Sequence, residues 1–360
     1  MTRSRLLCVF VAASVVFAAC SDDTTSDASL TTTTANGEAL SHSTTTAAPT
    51  TTPSTTSAAP VDLGEQLLTT VVVGDLVFDA RTSGPAEGEV VFLLHGFPST
   101  SDQWRHQIRF LGEAGFRVIA PDQRGYSAGA RPDAVDDYAI ELIADDVAGM
   151  ADALGIDEFH VVGHDFGGAA AWAVADRHGD RVLSLTSIST PHPAALTATI
   201  GSADSDQADR SSYVETFVQP GSENLFLAGD AAALRGLYAG QGLTAEEMEP
   251  QVALLNDPAA MIAALNWYRA SFNADGFAIG QITVPTMFIW GTDDAFLGPD
   301  PAALTGDYVD AGYRFEIIEG ADHWVPEVAA GVVNPLLLDF LAEPSAVAPG
   351  DAVTTEHPSG

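Results

Sequence analysis

The chain has 360 residues with 46% hydrophobic content, enough for one large single-core domain or two small ones. Its 49 acidic side chains against 14 basic ones, every basic one an arginine, give a formal charge of -35. Such a charge repels nucleic acid and anionic membrane surfaces and favours solubility, while leaving the fold open.

At the N-terminus, Arg3 and Arg5 precede "LLCVFVAASVVFAA", too short to span a bilayer comfortably and suited to the apolar core of an export signal. It ends in Phe17-Ala18-Ala19-Cys20, which resembles the bacterial lipoprotein processing box. Residues 1–19 are therefore expected as a signal peptide and Cys20 as a lipidated first residue. The protein would be exported, either anchored in the cell envelope through that lipid or secreted, with no other tie to a membrane. Residues 20–60 are rich in Thr, Ser and Pro and cannot bury enough apolar surface to offset the entropy of ordering, so they read as a disordered tether. No cysteine follows Cys20, which leaves the rest of the chain without a disulfide or a thiolate metal site.

From residue 61 strands and helices alternate. "LLTTVVVGDLVFDAR" reads as two strands around Gly74-Asp75, and "EVVFLLHG" as a third, nearly continuous in apolar residues. "FRVIAPD" is a strand, followed by an amphipathic helix between Asp136 and Leu154 with acidic residues along one side. "EFHVVGHD" and "RVLSLTSIS" are strands separated by an Ala-rich helix. Residues 191–280 become helical and irregular, the small polar run 198–212 reading as a mobile lid loop. "PTMFIWG" and "YRFEIIEG" restore the strand rhythm, and "VNPLLLDFLA" closes as a helix. The alternation predicts an α/β domain, a mostly parallel sheet with helices on both faces, formed by 61–190 and 281–343. An inserted helical cap spans 191–280, and 344–360 is a disordered tail.

Within "VVGHDFGGAAAWAV" the layout is that of a nucleophile elbow, G-x-S-x-G, with Asp165 in the serine's position. An N-capping aspartate on a strand-to-helix loop would look similar, so the accompanying residues decide. His323, in "EGADHWVPE", stands in a loop after a late strand, where the base belongs, and Asp293 and Asp294 in "FIWGTDDAFLG" follow the preceding strand, where its orienting acid belongs. "FLLHGFPST" follows the third strand, so the backbone N–H groups of Phe97 and Phe166 form the expected oxyanion hole. A carboxylate is poor at attacking esters, because the anhydride formed would revert. It suits displacement at a saturated carbon, giving an ester that water activated by His323 then hydrolyses. An epoxide oxygen or a halide could leave. Three cap tyrosines, Tyr213, Tyr238 and Tyr268, could donate to an epoxide oxygen.

Together these segments resemble the epoxide-hydrolase branch of the α/β-hydrolase family over nearly all of 65–342. "HGFP" is similar to the family's oxyanion loop and "GHDFGG" to its elbow; "DQWRHQI" and "APDQRGYSAGARP" also match family segments. In the cap, "YVETFVQPG" and "NWYR" resemble its two tyrosine motifs. The resemblance implies Tyr213 and Tyr268 as the ring-opening pair, Asp294 rather than Asp293 as the acid, and no metal or organic cofactor. The implied partner is a small apolar epoxide. Phe166 stands where many members carry tryptophan, and Ser99 where many carry glutamate after "HGFP". Dehalogenases of haloalkanes or haloacids share the aspartate nucleophile. Phe166 lacks the indole N–H that usually holds halide in haloalkane dehalogenases, and the arginine pair of the fluoroacetate-type enzymes is absent. A non-catalytic lipoprotein binding an apolar ligand would need neither the trio nor the tyrosines.

Overall fold

The computed structural model describes residues 67–240, 243–272, 278–344 and 351–355. The expected signal peptide, Cys20 and the tether to residue 60 lie outside the described residues. Strands β1 (Leu67–Val73) and β2 (Leu76–Ser83) form the hairpin expected around Gly74-Asp75, with Gly74 at a φ of 58°. Then come β3 (Val90–Leu94), β4 (Arg117–Pro121), β5 (Phe159–His164), β6 (Val182–Ile188), β7 (Thr286–Gly291) and β8 (Tyr313–Ile318). They lie in the order β1-β2-β4-β3-β5-β6-β7-β8, antiparallel through β1, β2 and β4 and parallel thereafter.

Every residue of β3, β5 and β7 is buried, because helices cover both faces of the sheet. Alternate side chains of β3 serve the two faces: Val91 and Leu93 join the cluster of Trp104, Ile108 and Leu111, whereas Phe92 and Leu94 join that of Ile143, Val147 and Val174. The first cluster belongs to α1 (Arg105–Glu113), the second to α2 (Ile140–Ala153) and α3 (Phe166–Arg177). Not all the acidic residues of α2 face water. Asp146 is buried and takes a two-point ion pair from Arg124, both contacts at 2.7 Å.

Between β6 and β7 the chain builds the cap: α4 (Pro193–Ile200), α5 (Gln207–Arg210), α6 (Val214–Phe217), α7 (Glu223–Gly240), α8 (Ala245–Leu255) and α9 (Pro258–Ser271). Helix α7 is broken at Ala228–Ala231, where Gly229, Asp230 and Ala231 take positive φ angles. The run 198–212, expected as a lid loop, is instead helical at both ends, and Gln207 in it is fully buried. Leu234, Tyr238, Leu255, Leu265 and Trp267 of the cap share one hydrophobic cluster with α2 and α3. After the cap, α10 (Pro299–Leu304), α11 (Val325–Val328) and α12 (Ala330–Ala342) complete the fold, α12 packing in the cluster of α1.

A second expectation is also corrected. Residues 344–360 read as a disordered tail, yet Asp351–Thr355 forms β9, parallel to β8 at the end of the sheet. The segment carries three β-branched residues in succession, Val353, Thr354 and Thr355, and β8 offers it an open row of backbone donors and acceptors.

Candidate active site

The register aligns the ends of the central strands: Leu94 pairs with Gly163, and His164 with Ile188. The loops leaving β3, β5, β7 and β8 therefore converge at the carboxyl end of the sheet, where open α/β folds bind ligands. Asp165 occupies the sharp turn from β5 into α3, with φ 52° and ψ -125°, an unusual backbone for a residue with a side chain. Two contacts explain the glycines around it. A Cβ on Gly163 would run into the Gly167 carbonyl, and one on Gly96 into the Asp165 side chain. The Thr190 hydroxyl donates to the Asp165 carbonyl at 2.7 Å and fixes the turn.

The Phe97 N–H donates to Asp165 Oδ1 at 2.8 Å. The Phe166 N–H adds its own hydrogen bond to the carboxylate. Both N–H groups expected for the oxyanion hole therefore already engage the Asp165 carboxylate, the Phe97 N–H at Oδ1. The other oxygen, Oδ2, lies 3.3 Å from His323 Nε2, and His323 Nδ1 lies 2.8 Å from Asp294 Oδ2. Asp294 is held from behind, its Oδ1 accepting the N–H groups of Phe296 at 2.8 Å and Leu297 at 2.9 Å. Of the two candidate acids, then, Asp294 meets the histidine, while Asp293 is exposed.

The electrostatics follow from that geometry. Burial would push the Asp165 carboxyl up, but His323 and the Phe166 N–H outweigh it and leave the group below the usual carboxylate range. Burial would likewise lower His323. Asp294 first and Asp165 second overcome it and raise the imidazole to about 10. The resting site is an imidazolium between two carboxylates.

His164, the last residue of β5, has a positioning role that the sequence did not disclose. It is fully buried, accepts at Nδ1 from Gln103 Nε2 at 2.8 Å, and donates from Nε2 to the His323 carbonyl at 2.8 Å. Burial and the neighbouring His323 charge lower it to about 4, which keeps the ring neutral in those roles.

The cap delivers both expected tyrosines. Tyr213 and Tyr268 have ring centroids 6.4 Å apart, and the charge of Asp165 reaches both. Burial, with that charge, raises both phenols above their ordinary value, so they remain protonated donors. Among the described residues neither hydroxyl has a protein hydrogen-bond partner. Tyr238 differs: its hydroxyl donates to the Pro98 carbonyl at 2.5 Å and ties the cap to the oxyanion loop. Arg269, beside Tyr268, reaches Ser222 Oγ at 3.0 Å and Glu223 at 2.9 Å, joining α9 to the segment that follows Tyr213.

Aromatic rings wall the site. Tyr268 meets Phe166 at 5.0 Å, Phe217 at 5.2 Å and Phe97 at 5.5 Å; Tyr213 meets Phe296 at 5.5 Å, and Phe296 meets His323 at 5.1 Å. Phe166 also packs on Trp267 at 5.1 Å, filling space beside the second tyrosine. Ser99 is fully buried, and its hydroxyl lacks a partner among the described residues. Among the described residues no group of three or more His, Cys, Asp or Glu is disposed to hold a metal ion.

Residues 89–330 match the model of the alpha/beta hydrolase fold family. The chain is 32% identical over 292 residues to Epoxide hydrolase 4 of Mus musculus, covering 78% of this chain and 80% of that protein. It is 31% identical over 314 residues to Epoxide hydrolase A of Mycobacterium tuberculosis, covering 77% and 97%. A solved epoxide hydrolase from metagenomes of hot environments superposes with a TM-score of 0.68 at 30% identity, covering 77% of this chain and 99% of that one.

Proposed function

As a member of the α/β-hydrolase family, in its epoxide hydrolase-like branch, this chain is a hydrolase, and we propose that it opens a small apolar epoxide to a vicinal diol through an ester on Asp165. The observation that carries the reading is the pair of cap phenols, Tyr213 and Tyr268, both within reach of the Asp165 charge. They suit an oxygen that stays on the substrate and becomes negative as its ring opens.

In the first step Asp165 Oδ2, the oxygen not engaged by the Phe97 N–H, attacks a ring carbon. The carbon–oxygen bond breaks, and the two phenols hydrogen-bond the departing oxygen. Ester formation removes one of the two negative charges facing His323. The imidazolium then holds its proton less tightly and releases it as the ring oxygen takes one up. In the second step the neutral imidazole takes a proton from water, whose oxygen attacks the Asp165 carbonyl carbon. Negative charge gathers on Oδ1, against the Phe97 N–H, with the Phe166 N–H bonded to the same carboxyl group. Collapse releases the diol and restores carboxylate and imidazolium.

The test is a diol-formation assay on aliphatic and aromatic epoxides beside a halide-release assay on haloalkanes. Diol formation is expected, and His323→Gln is expected to retain a covalent adduct on Asp165. Halide release without epoxide turnover, or no added mass on His323→Gln, would overturn the reading.

Export as a lipoprotein anchored at Cys20 is part of the same proposal, supported by Arg3, Arg5 and the Phe17-Ala18-Ala19-Cys20 junction. Radiolabelled palmitate should enter the wild-type protein in bacteria and fail to enter Cys20→Ala; equal labelling of both would refute the anchor.

A further inference from the structure

Two cap residues outside the chemistry above are bonded closely to the loop that carries the acid. Gln207, on α5, is fully buried. Its amide donates to the Phe296 carbonyl at 2.8 Å and accepts the Gly298 N–H at 2.8 Å, gripping the stretch whose N–H groups hold Asp294. It also reaches the Ser211 hydroxyl at 2.9 Å. Arg210 donates from Nη1 to the Asp294 carbonyl at 2.7 Å and from Nε to Asp206 at 2.9 Å. The loop makes room for both: a Cβ on Gly298 would stand 3.0 Å from Arg210 Nε and 3.3 Å from Gln207 Oε1. Tyr213 follows three residues after Arg210, and its ring meets Phe296 of the same loop at 5.5 Å.

We propose that Gln207 and Arg210 are positioning residues through which seating of the cap sets the catalytic acid. One short turn leads into Tyr213 above the nucleophile and grips the loop that holds Asp294 behind the histidine. Ester hydrolysis, which needs Asp294 behind the histidine, then depends on how α5 is seated. The inference rests on the two-step reading above.

Arg210 also supplies the cation that faces Asp294 from the cap. The other titratable groups around Asp294 are His323, His164, Tyr213 and Asp322, and those around His323 are Asp165, Asp294, His164 and Asp322. Removing the Arg210 cation leaves the Asp294 charge less offset and tightens the hold of His323 on its proton.

The experiment is single-turnover kinetics of the full chain with styrene oxide, following adduct formation and decay by quenched mass spectrometry. In Gln207→Leu the fraction of molecules forming adduct should stay as in wild type, while the decay rate falls about tenfold or more. In Arg210→Met the pH midpoint of adduct decay should rise by about half a unit, and Arg210→Lys should restore it. A smaller reactive fraction with wild-type decay would mean that Gln207 only holds the fold, and overturns the proposal. Should Gln207→Leu fail to fold, the Arg210→Met midpoint decides, and an unchanged midpoint overturns it. No adduct in either wild type or His323→Gln would sink the two-step reading and this inference with it. Adduct in both, with unaltered decay in Gln207→Leu and Arg210→Met, would sink this inference alone.

Discussion

Replacing Asp294 with asparagine separates the two chemical steps. Asp294 Oδ1 is held by the N–H groups of Phe296 and Leu297, at 2.8 and 2.9 Å, so an asparagine must seat its amide oxygen there. Its NH2 group then faces His323 Nδ1, now 2.8 Å from a carboxylate oxygen. Two donors cannot share that contact, so Nδ1 becomes the acceptor and the ring proton moves to Nε2. An imidazole with its proton at Nε2 cannot take one from water. The same tautomer inversion in a serine-protease triad slows catalysis by about 10⁴, or roughly 5.5 kcal/mol of barrier. Ring opening relies on Asp165 and the phenols and should stay within about tenfold of wild type. Asp294→Asn mixed with styrene oxide should therefore give one rapid burst per chain, then near-silence, with a persistent adduct in the intact mass. Steady turnover within about tenfold of wild type, with no accumulated adduct, would mean that Asp294 does not orient the histidine.

Tyr213→Phe and Tyr268→Phe should each slow adduct formation by about 10²-fold and leave adduct decay nearly unchanged, as measured in single turnovers. Tyr238→Phe leaves the Pro98 carbonyl without its donor and should destabilise the fold by about 1–3 kcal/mol in urea titrations, while adduct still forms. His323 carries a raised affinity for its proton in the folded chain, so its contribution to stability is complete below its ordinary value of 6.5 and is lost as pH rises towards about 10. Urea midpoints should fall over that interval in wild type and fall less steeply in His323→Gln.

Much of the site was legible because its chemistry constrains local sequence. A tight turn needs glycine on both sides of Asp165, and acid and base must follow successive late strands. The alternation of strand and helix located the sheet for the same reason, since continuous apolar runs have few other uses. What escaped notice has no such local mark. Gln207 sits in a run of small polar residues, and only the distant partners Phe296 and Gly298 turn its amide inward. Asp146 resembles the other acidic residues of α2 until Arg124 arrives beside it. The strand at Asp351–Thr355 depends on an open sheet edge formed elsewhere in the chain, so a short polar tail carried no sign of it. His164 stands inside the elbow motif, but its partner is the backbone of His323, which no side-chain pattern records.

The hydrophobic cluster that runs unbroken from α2 and α3 into α7, α8 and α9 bears on how such enzymes diversify. A cap with its own core could be exchanged between relatives as a module. Here Leu234, Leu255 and Trp267 complete an interior begun by Ile143, Val147 and Trp172, so a transplanted cap would bring mismatched shapes to that seam. New substrate preferences are therefore more accessible through single replacements along the aromatic wall than through wholesale recombination.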